Sequence, residues 1–269
     1  MDSQQNIPNL GFGTYRLRGE KAKTSTLVAL KKGYYHIDTA NLYRNETEIG
    51  EAIKESGISR HKLWITTKIQ VKDIQKGKEA IMNSITNSLK ELNTEYLDLV
   101  LLHGPVEDRI VESWLTLEEI FAELGNKIRF IGVSNYNIDH LEKIMKSCKI
   151  KPYANQFEVS PFWNRDDLIK YCGEQGIIPV AHTSLIKGEK FEDAKLTELS
   201  TQVKISKPLL LLAWALHKGL TVLPRSEKEE HIQENMQCLS IQLDSEIMKI
   251  LDSFHDGYCT HPKYKPISK

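Results

Sequence analysis

Read as hydrophobic and polar positions, the chain alternates short apolar runs with longer stretches in which apolar residues recur every three or four places. Eight runs read as strands: residues 10–13, 36–40, 63–68, 96–103, 130–135, 153–158, 177–182 and 220–224. Most are apolar throughout rather than alternating, as in parallel strands covered on both faces. The stretches between them read as helices with legible ends. Asn45 followed by Glu48 has the spacing of a capping box; Ile49, Ala52 and Ile53 then line one face, and Gly57 is the stop. Ile81, Ile85, Leu89 and Leu92 form a second stripe, and Trp114, Leu117, Ile120, Phe121 and Leu124 a third that ends at Gly125. Pro208 stands where a first helical position is expected, and Gly219 follows the last turn. Core packing accounts for the stripes without any further role.

The strand ends fall at 13, 40, 68, 103, 135, 158, 182 and 224, in steps of 23 to 42 residues. A strand with its crossover helix takes about 30 residues, so the spacing predicts an α/β fold, a closed (β/α)8 TIM barrel forming one domain over residues 1–269. A doubly wound sheet would need a glycine-rich phosphate turn after its first strand, and Gly11-x-Gly13 is followed by no third glycine. In a barrel the chemistry belongs at the C-terminal ends of the strands. There the sequence puts Asp38 with Tyr43 in the loop beyond it, then Lys68, His103, Ser134-Asn135, Gln156 and Arg225-Ser226.

Any one charged strand end could be a structural ion-pair partner. An Asp, a Tyr, a Lys and a His converging on one rim have a chemical logic as a set. A phenol is a poor acid at neutral pH; a nearby ammonium stabilises its phenolate, and a carboxylate behind the lysine holds that charge in place. The group suits polarising a carbonyl and protonating the resulting alkoxide. It contains no activated Ser or Cys nucleophile and no metal cage. Hydride has to come from a bound nicotinamide or flavin, because no side chain supplies it.

Composition narrows the partners. The 36 basic and 36 acidic residues give zero formal net charge, against an electrostatic nucleic-acid partner, and 40% apolar content is too high for disorder. Cys148, Cys172, Cys238 and Cys259 lie far apart with no C-x-x-C pair, as in a reducing compartment. Residues 1–8 lack the apolar core of a signal peptide, and the apolar run 209–216 is far too short for a membrane span. The expectation is a cytoplasmic protein with no membrane partner.

At these residues the chain resembles the aldo-keto reductases from end to end. Gly11-Phe12-Gly13-Thr14-Tyr15, His36-Ile37-Asp38-Thr39-Ala40-x-x-Tyr43-x-Asn45-Glu46, Thr67-Lys68, Leu102-His103-x-Pro105, Ile131-Gly132-Val133-Ser134-Asn135, Asn155-Gln156-x-Glu158, Val222-Leu223-Pro224-Arg225-Ser226 and Ile232-x-Glu234-Asn235 follow in that family's order. The resemblance implies an NADPH-dependent reduction of an aldehyde or ketone, with NADH possible at lower affinity and a monomer as the common form. It assigns Tyr43 as general acid, Lys68 and Asp38 as the groups tuning it, and His103 as the residue orienting the carbonyl. Ser134, Asn135 and Gln156 would hold the nicotinamide carboxamide, and Thr14 and Tyr15 would stand at the entrance. Arg225 and Ser226 would take the adenosine 2′-phosphate, with Glu234 and Asn235 near the adenine.

Three departures from the family pattern carry expectations of their own. Ala181-His182-Thr183-Ser184-Leu185 puts His182 where a tyrosine usually stacks on the nicotinamide, so His182 is expected to stack with less area, with Thr183, Ser184 and Leu185 beside the cofactor. Arg225 replaces a lysine and His231 a second arginine; an imidazole is charged only part of the time at neutral pH, so the NADPH preference should be moderate. Gly104 follows His103 where a tryptophan is common, and the chain ends soon after Pro266. A reduced hairpin at the barrel bottom, a short C-terminal loop and an open, weakly selective pocket are expected, with Tyr15, Trp64 and Phe162 as candidate walls and Trp64 alternatively a helix-facing core residue. Two other readings remain: a nucleotide-binding barrel with a regulatory role, and an isomerase or aldolase using Lys68 as a Schiff-base amine. Asp38 weighs against the second, because a carboxylate keeps that lysine protonated.

Overall fold

Eight parallel strands hydrogen-bond in sequence order into one curled sheet: β1 (Phe12–Gly13), β2 (His36–Asp38), β3 (Trp64–Ile69), β4 (Leu97–Leu102), β5 (Ile128–Ser134), β6 (Ala154–Glu158), β7 (Ile178–His182) and β8 (Thr221–Val222). This computed structural model describes residues 6–265; Pro266 and residues 1–5 lie outside that range, so the expectations attached to them do too. Helices connect the strands, and the arrangement fits an α/β (β/α)8 barrel. The outer strands are shorter than the apolar runs suggested, and the ladder is not continuous between β8 and β1. They meet instead through a parallel bridge, Leu10 to Val222, and three backbone bonds: Val222 N to Asn9 O, Gly11 N to Val222 O and Gly13 N to Pro224 O, at 2.8–3.0 Å. Gly13 permits this approach, since a Cβ there would lie 2.8 Å from the Leu223 carbonyl oxygen.

Side chains of a strand alternate between faces. One set packs under the helices: Ile37, Ile65, Val100, Leu102, Ile131, Val133, Phe157 and Ala181. The other set turns inward, and its chemistry changes along the strands. At the N-terminal ends Trp64, Leu99, Phe130, Ala154 and Ile178 form a second apolar cluster with Ile7 and Leu223. Phe130 stacks on Tyr153 and on Trp64 with ring centroids 4.0 and 5.6 Å apart. Trp64 is thus neither a pocket wall nor a helix-facing residue: among the described residues no strand precedes β1, and this aromatic stack fills the bottom of the sheet. At the C-terminal ends the same inward positions carry Asp38, Lys68, Ser134, Gln156, Glu158 and His182. The sheet therefore delivers its polar side chains to one rim.

Two helix-end expectations are corrected. Asn45 precedes the helix Glu46–Ser56, but its side chain caps nothing. Its buried amide donates to the carbonyls of Thr14 and Leu17, both at 2.9 Å, and its oxygen accepts from Thr39 Oγ1 at 3.0 Å, so the side chain serves the buried loop rather than the helix end. Pro208 is the second residue of the helix Lys207–His217, where a missing N–H is still tolerated. Phe162 is buried against Phe254 and does not reach the cavity described below.

Candidate active site

The loops beyond the strands enclose a cavity of about 970 Å³ over this polar rim. Of the residues singled out from the sequence, Thr14, Tyr15, Asp38, Tyr43, His103, Asn135, Gln156, His182, Thr183, Ser184, Leu185, Arg225, Ser226, His231, Glu234 and Asn235 all line it. Lys68 and Ser134 do not: Lys68 is buried behind Tyr43, and the Ser134 hydroxyl donates to the Gln156 carbonyl at 2.9 Å.

Asp38 ends β2, and a short 3-10 turn, Asn41–Tyr43, swings Tyr43 back over it. From β3, Lys68 Nζ donates to Asp38 Oδ1 at 2.5 Å and to the Thr39 carbonyl at 2.8 Å, and lies 3.4 Å from the Tyr43 hydroxyl. Gln156 Nε2 donates to the other carboxylate oxygen at 2.7 Å. Each charge of the pair therefore has fixed partners. Burial pushes Asp38 up and Lys68 down, and each charge opposes the other's shift. Tyr43 departs from the expectation that the ammonium lowers it. Burial, reinforced by Asp38, holds its phenol well above the ordinary value, so the group stays in its acid form. His103 is one residue past β4, its ring 5.7 Å from that of Tyr43 and edge-on to it. Burial, with the Lys68 charge adding to it, keeps this imidazole neutral.

A second network runs along β5 to β7. Asn135 sits at φ 64°, a left-handed conformation Asn tolerates, and its amide donates to the His103 carbonyl and to Ser134 Oγ, both at 3.0 Å. Its oxygen meets His182 Nε2 at 2.9 Å, so that nitrogen carries the proton, leaving Nδ1 to accept from Thr183 Oγ1 at 2.8 Å. Thr183 itself is at φ 60°, an unusual conformation for a β-branched residue. Burial pushes His182 down to about 3, so the ring is a neutral, fixed element of the wall. At the far end of the cavity Arg225 is already paired with Glu227 at 2.7 Å, and Lys21 holds the same carboxylate at 3.0 Å.

Behind Lys68, the buried Glu46 accepts hydrogen bonds from Thr67 Oγ1 at 2.6 Å and Ser88 Oγ at 2.8 Å. Burial raises its pKa to about 7 despite these bonds. A carboxyl whose folded pKa exceeds its unfolded value binds its proton more tightly in the fold, so stability should fall as pH rises from about 4.5 to 7. Glu46→Gln is expected to remove this slope: relative to the parent it gains about 3 kcal/mol between pH 4.5 and 8, at 1.36 kcal/mol per pKa unit. Urea midpoints of both proteins across that range check it, and parallel profiles would contradict it.

Several cavity residues had no sequence signal attached to them. Lys187 and Phe191 come from the loop after β7 and Lys207 from the start of the helix Lys207–His217; His261, Lys263 and Tyr264 come from the C-terminal segment. Glu158, which grips that segment, shares the inward parity of Gln156, and this alternation was the signal that could have found it. Among the described residues no group of three or more His, Cys, Asp and Glu is placed to hold a metal ion, and no helix is long and apolar enough to cross a membrane.

The model of the Aldo/keto reductase family matches residues 9–256. The glyoxal reductase of Bacillus subtilis (strain 168) is 36% identical over 250 residues, covering 93% of this chain and 89% of that protein. Methylglyoxal reductase DkgB of Escherichia coli O157:H7 is 34% identical over 247 residues, covering 91% and 92%. Among solved structures, MGS-M4, an aldo-keto reductase enzyme from a Medee basin deep-sea metagenome library, superposes with a TM-score of 0.91 at 30% identity, covering 98% of this chain and 97% of that one.

Proposed function

The chain belongs to the aldo/keto reductase family and is a carbonyl-reducing oxidoreductase, and from that premise we propose that it uses NADPH and that Tyr43 protonates the carbonyl oxygen of an aldehyde or ketone. The observation carrying the proposal is the Tyr43 hydroxyl lining the cavity with Lys68 Nζ 3.4 Å behind it and Asp38 fixing that ammonium. A carbonyl oxygen placed between Tyr43 and the neutral His103 accepts from the phenol. As negative charge develops on that oxygen, the phenol gives up its proton, because an alkoxide is the stronger base. The phenolate left behind is stabilised by Lys68, whose charge Asp38 and the Thr39 carbonyl hold at that point. Bulk solvent then reprotonates Tyr43.

The cavity's volume of about 970 Å³ and its polar lining suit a dinucleotide. A nicotinamide cofactor supplies the hydride when bound. Asn135, with Ser134 and Gln156 fixing it from behind, would hold the carboxamide, His182 would lie against the ring, and Thr14, Tyr15, Thr183, Ser184 and Leu185 would flank it. Arg225, Ser226 and His231 would take a 2′-phosphate, and Glu234 with Asn235 the adenine side. Glu227 competes for Arg225, which adds a reason for a moderate preference: NADPH first, NADH at lower affinity. Arg225→Ala should weaken NADPH by about 10–100-fold, the loss of one charge-assisted bidentate contact, and NADH far less. Dissociation constants for both nucleotides decide the point, and equal weakening of the two would refute it.

The same reading takes residues 1–269 as a single domain, a closed (β/α)8 barrel whose seam is the Leu10–Val222 bridge. It works as a cytoplasmic monomer on a small-molecule aldehyde or ketone, with no nucleic acid or membrane partner. The direct test is loss of NADPH absorbance on adding a reactive aromatic aldehyde. Nucleotide binding without turnover of any carbonyl would favour a binding-only barrel instead. The buried Lys68–Asp38 pair disfavours Schiff-base chemistry, since the amine is engaged as an ammonium.

A further inference from the structure

Gly104 leaves a gap beside His103, and the C-terminal segment fills it. A Cβ built on Gly104 would lie 3.1 Å from Tyr264 Oη and 3.3 Å from Tyr264 Cε1. Tyr264 ends the short turn Pro262–Tyr264, lines the cavity, and is near enough to Tyr43 to act on its phenol electrostatically. The ring of Tyr15 lies 5.0 Å from that of Tyr43, and Tyr15 and Leu42 expose large apolar surface at the same mouth, 42% and 52% of each residue. Tyr264 therefore occupies the space beside Gly104 that the missing indole leaves. Tyr264, Tyr15 and Leu42 give the pocket an apolar wall.

One carboxylate holds the wall in place. Glu158, buried at the C-terminal end of β6, accepts from the backbone N–H of Thr260 at 2.6 Å and of His261 at 3.0 Å, and pairs with His261 Nδ1 at 3.0 Å. Burial alone would push this carboxyl up, but the bonds from His261 and Thr260 keep it below the usual carboxylate range, so it remains an anion suited to those donors. Nothing in the proton transfer uses Glu158.

We propose that Glu158 is a positioning residue that sets Tyr264 in the substrate wall, and that this wall favours carbonyls bearing a flat apolar group over small polar dicarbonyls. The inference rests on the carbonyl-reductase reading above and names its substrate class. An aryl group can lie along Tyr15, Leu42 and Tyr264, whereas a dicarbonyl of three carbons offers these side chains almost nothing to contact.

The test measures kcat and KM at saturating NADPH for 4-nitrobenzaldehyde and for methylglyoxal in the parent, Tyr264→Ala, Tyr264→Phe and Glu158→Gln. The quantity read is the ratio of kcat/KM between the two substrates. In the parent it should favour the aryl aldehyde; Tyr264→Ala should lower it about tenfold, mainly through KM, as expected for one aromatic contact. Tyr264→Phe should retain it, because the ring and not the hydroxyl makes the wall. Glu158→Gln should move the ratio in the same direction as Tyr264→Ala, and trypsin should cut after Lys263 faster than in the parent. An unmoved ratio in Tyr264→Ala overturns the wall. A lowered ratio there, with Glu158→Gln matching the parent in both ratio and cleavage, overturns the positioning role. A parent that turns over neither aldehyde overturns the carbonyl-reductase reading as well.

Discussion

Tyr43→Phe is expected to cut kcat for an aromatic aldehyde by about 10²–10⁴-fold, the usual worth of a positioned proton donor, while leaving NADPH binding within about twofold. The geometry makes the loss specific. The phenyl ring can keep its packing against Tyr15 and His103, so the wall survives, but among the described residues no other side-chain hydroxyl is hydrogen-bonded to the Lys68 ammonium. His103 does not substitute, because burial and the Lys68 charge keep its imidazole neutral and a poor acid. Stopped-flow single turnover with prebound NADPH separates the chemical step from product release, and undiminished turnover in the variant would refute the assignment.

Lys68→Met should have the largest effect on the protein as a whole. It leaves Asp38 buried with Gln156 as its remaining side-chain donor, and removing one partner of a buried pair typically costs about 3–5 kcal/mol. Without the ammonium, burial acts on Asp38 against the Gln156 hydrogen bond alone, so the carboxyl binds a proton more readily in the fold. The loss should then be smallest at low pH and grow as pH rises above the carboxyl's unfolded value. Denaturant midpoints at pH 5 and pH 8 measure this. The double variant Lys68→Met/Asp38→Asn is expected to recover stability by removing the orphaned charge, yet not activity, since nothing then stabilises the Tyr43 phenolate. Recovery of both would mean that the pair serves structure alone.

Much of this site could be read from the chain because it is carried by strand ends. Asp38, Lys68 and His103 each close or directly follow a run of apolar residues, and a polar group in that place has few reasons to exist in a parallel sheet. The eight runs also set the strand order, since parallel neighbours joined by single crossovers leave little choice. What stayed hidden depends on contacts between distant positions. Asn45 has the local signature of a helix cap and is used elsewhere, because the buried carbonyls of Thr14 and Leu17 compete for its amide. Trp64 looked like a pocket residue by type, whereas its parity along β3 puts it two positions below Thr66 and four below Lys68, at the bottom of the sheet. The grip of Glu158 on Thr260 spans 102 residues, and backbone N–H donors leave no trace in side-chain identity. Tyr264 could not be placed beside Gly104 for the same reason.

The seam between β1 and β8 has a consequence for how the molecule responds to its ligand. It is the one junction of neighbouring strands built from an isolated bridge and a few backbone bonds, so it is the cheapest place for the described sheet to unzip. Thr14 and Tyr15 follow one side of that junction, and Leu223, Pro224, Arg225 and Ser226 follow the other, all facing the same cavity. A dinucleotide bound there would touch both flanks and act as a staple across that join. Part of its binding free energy would then go into closing the sheet, so the rim would be held most tightly when the ligand is in place.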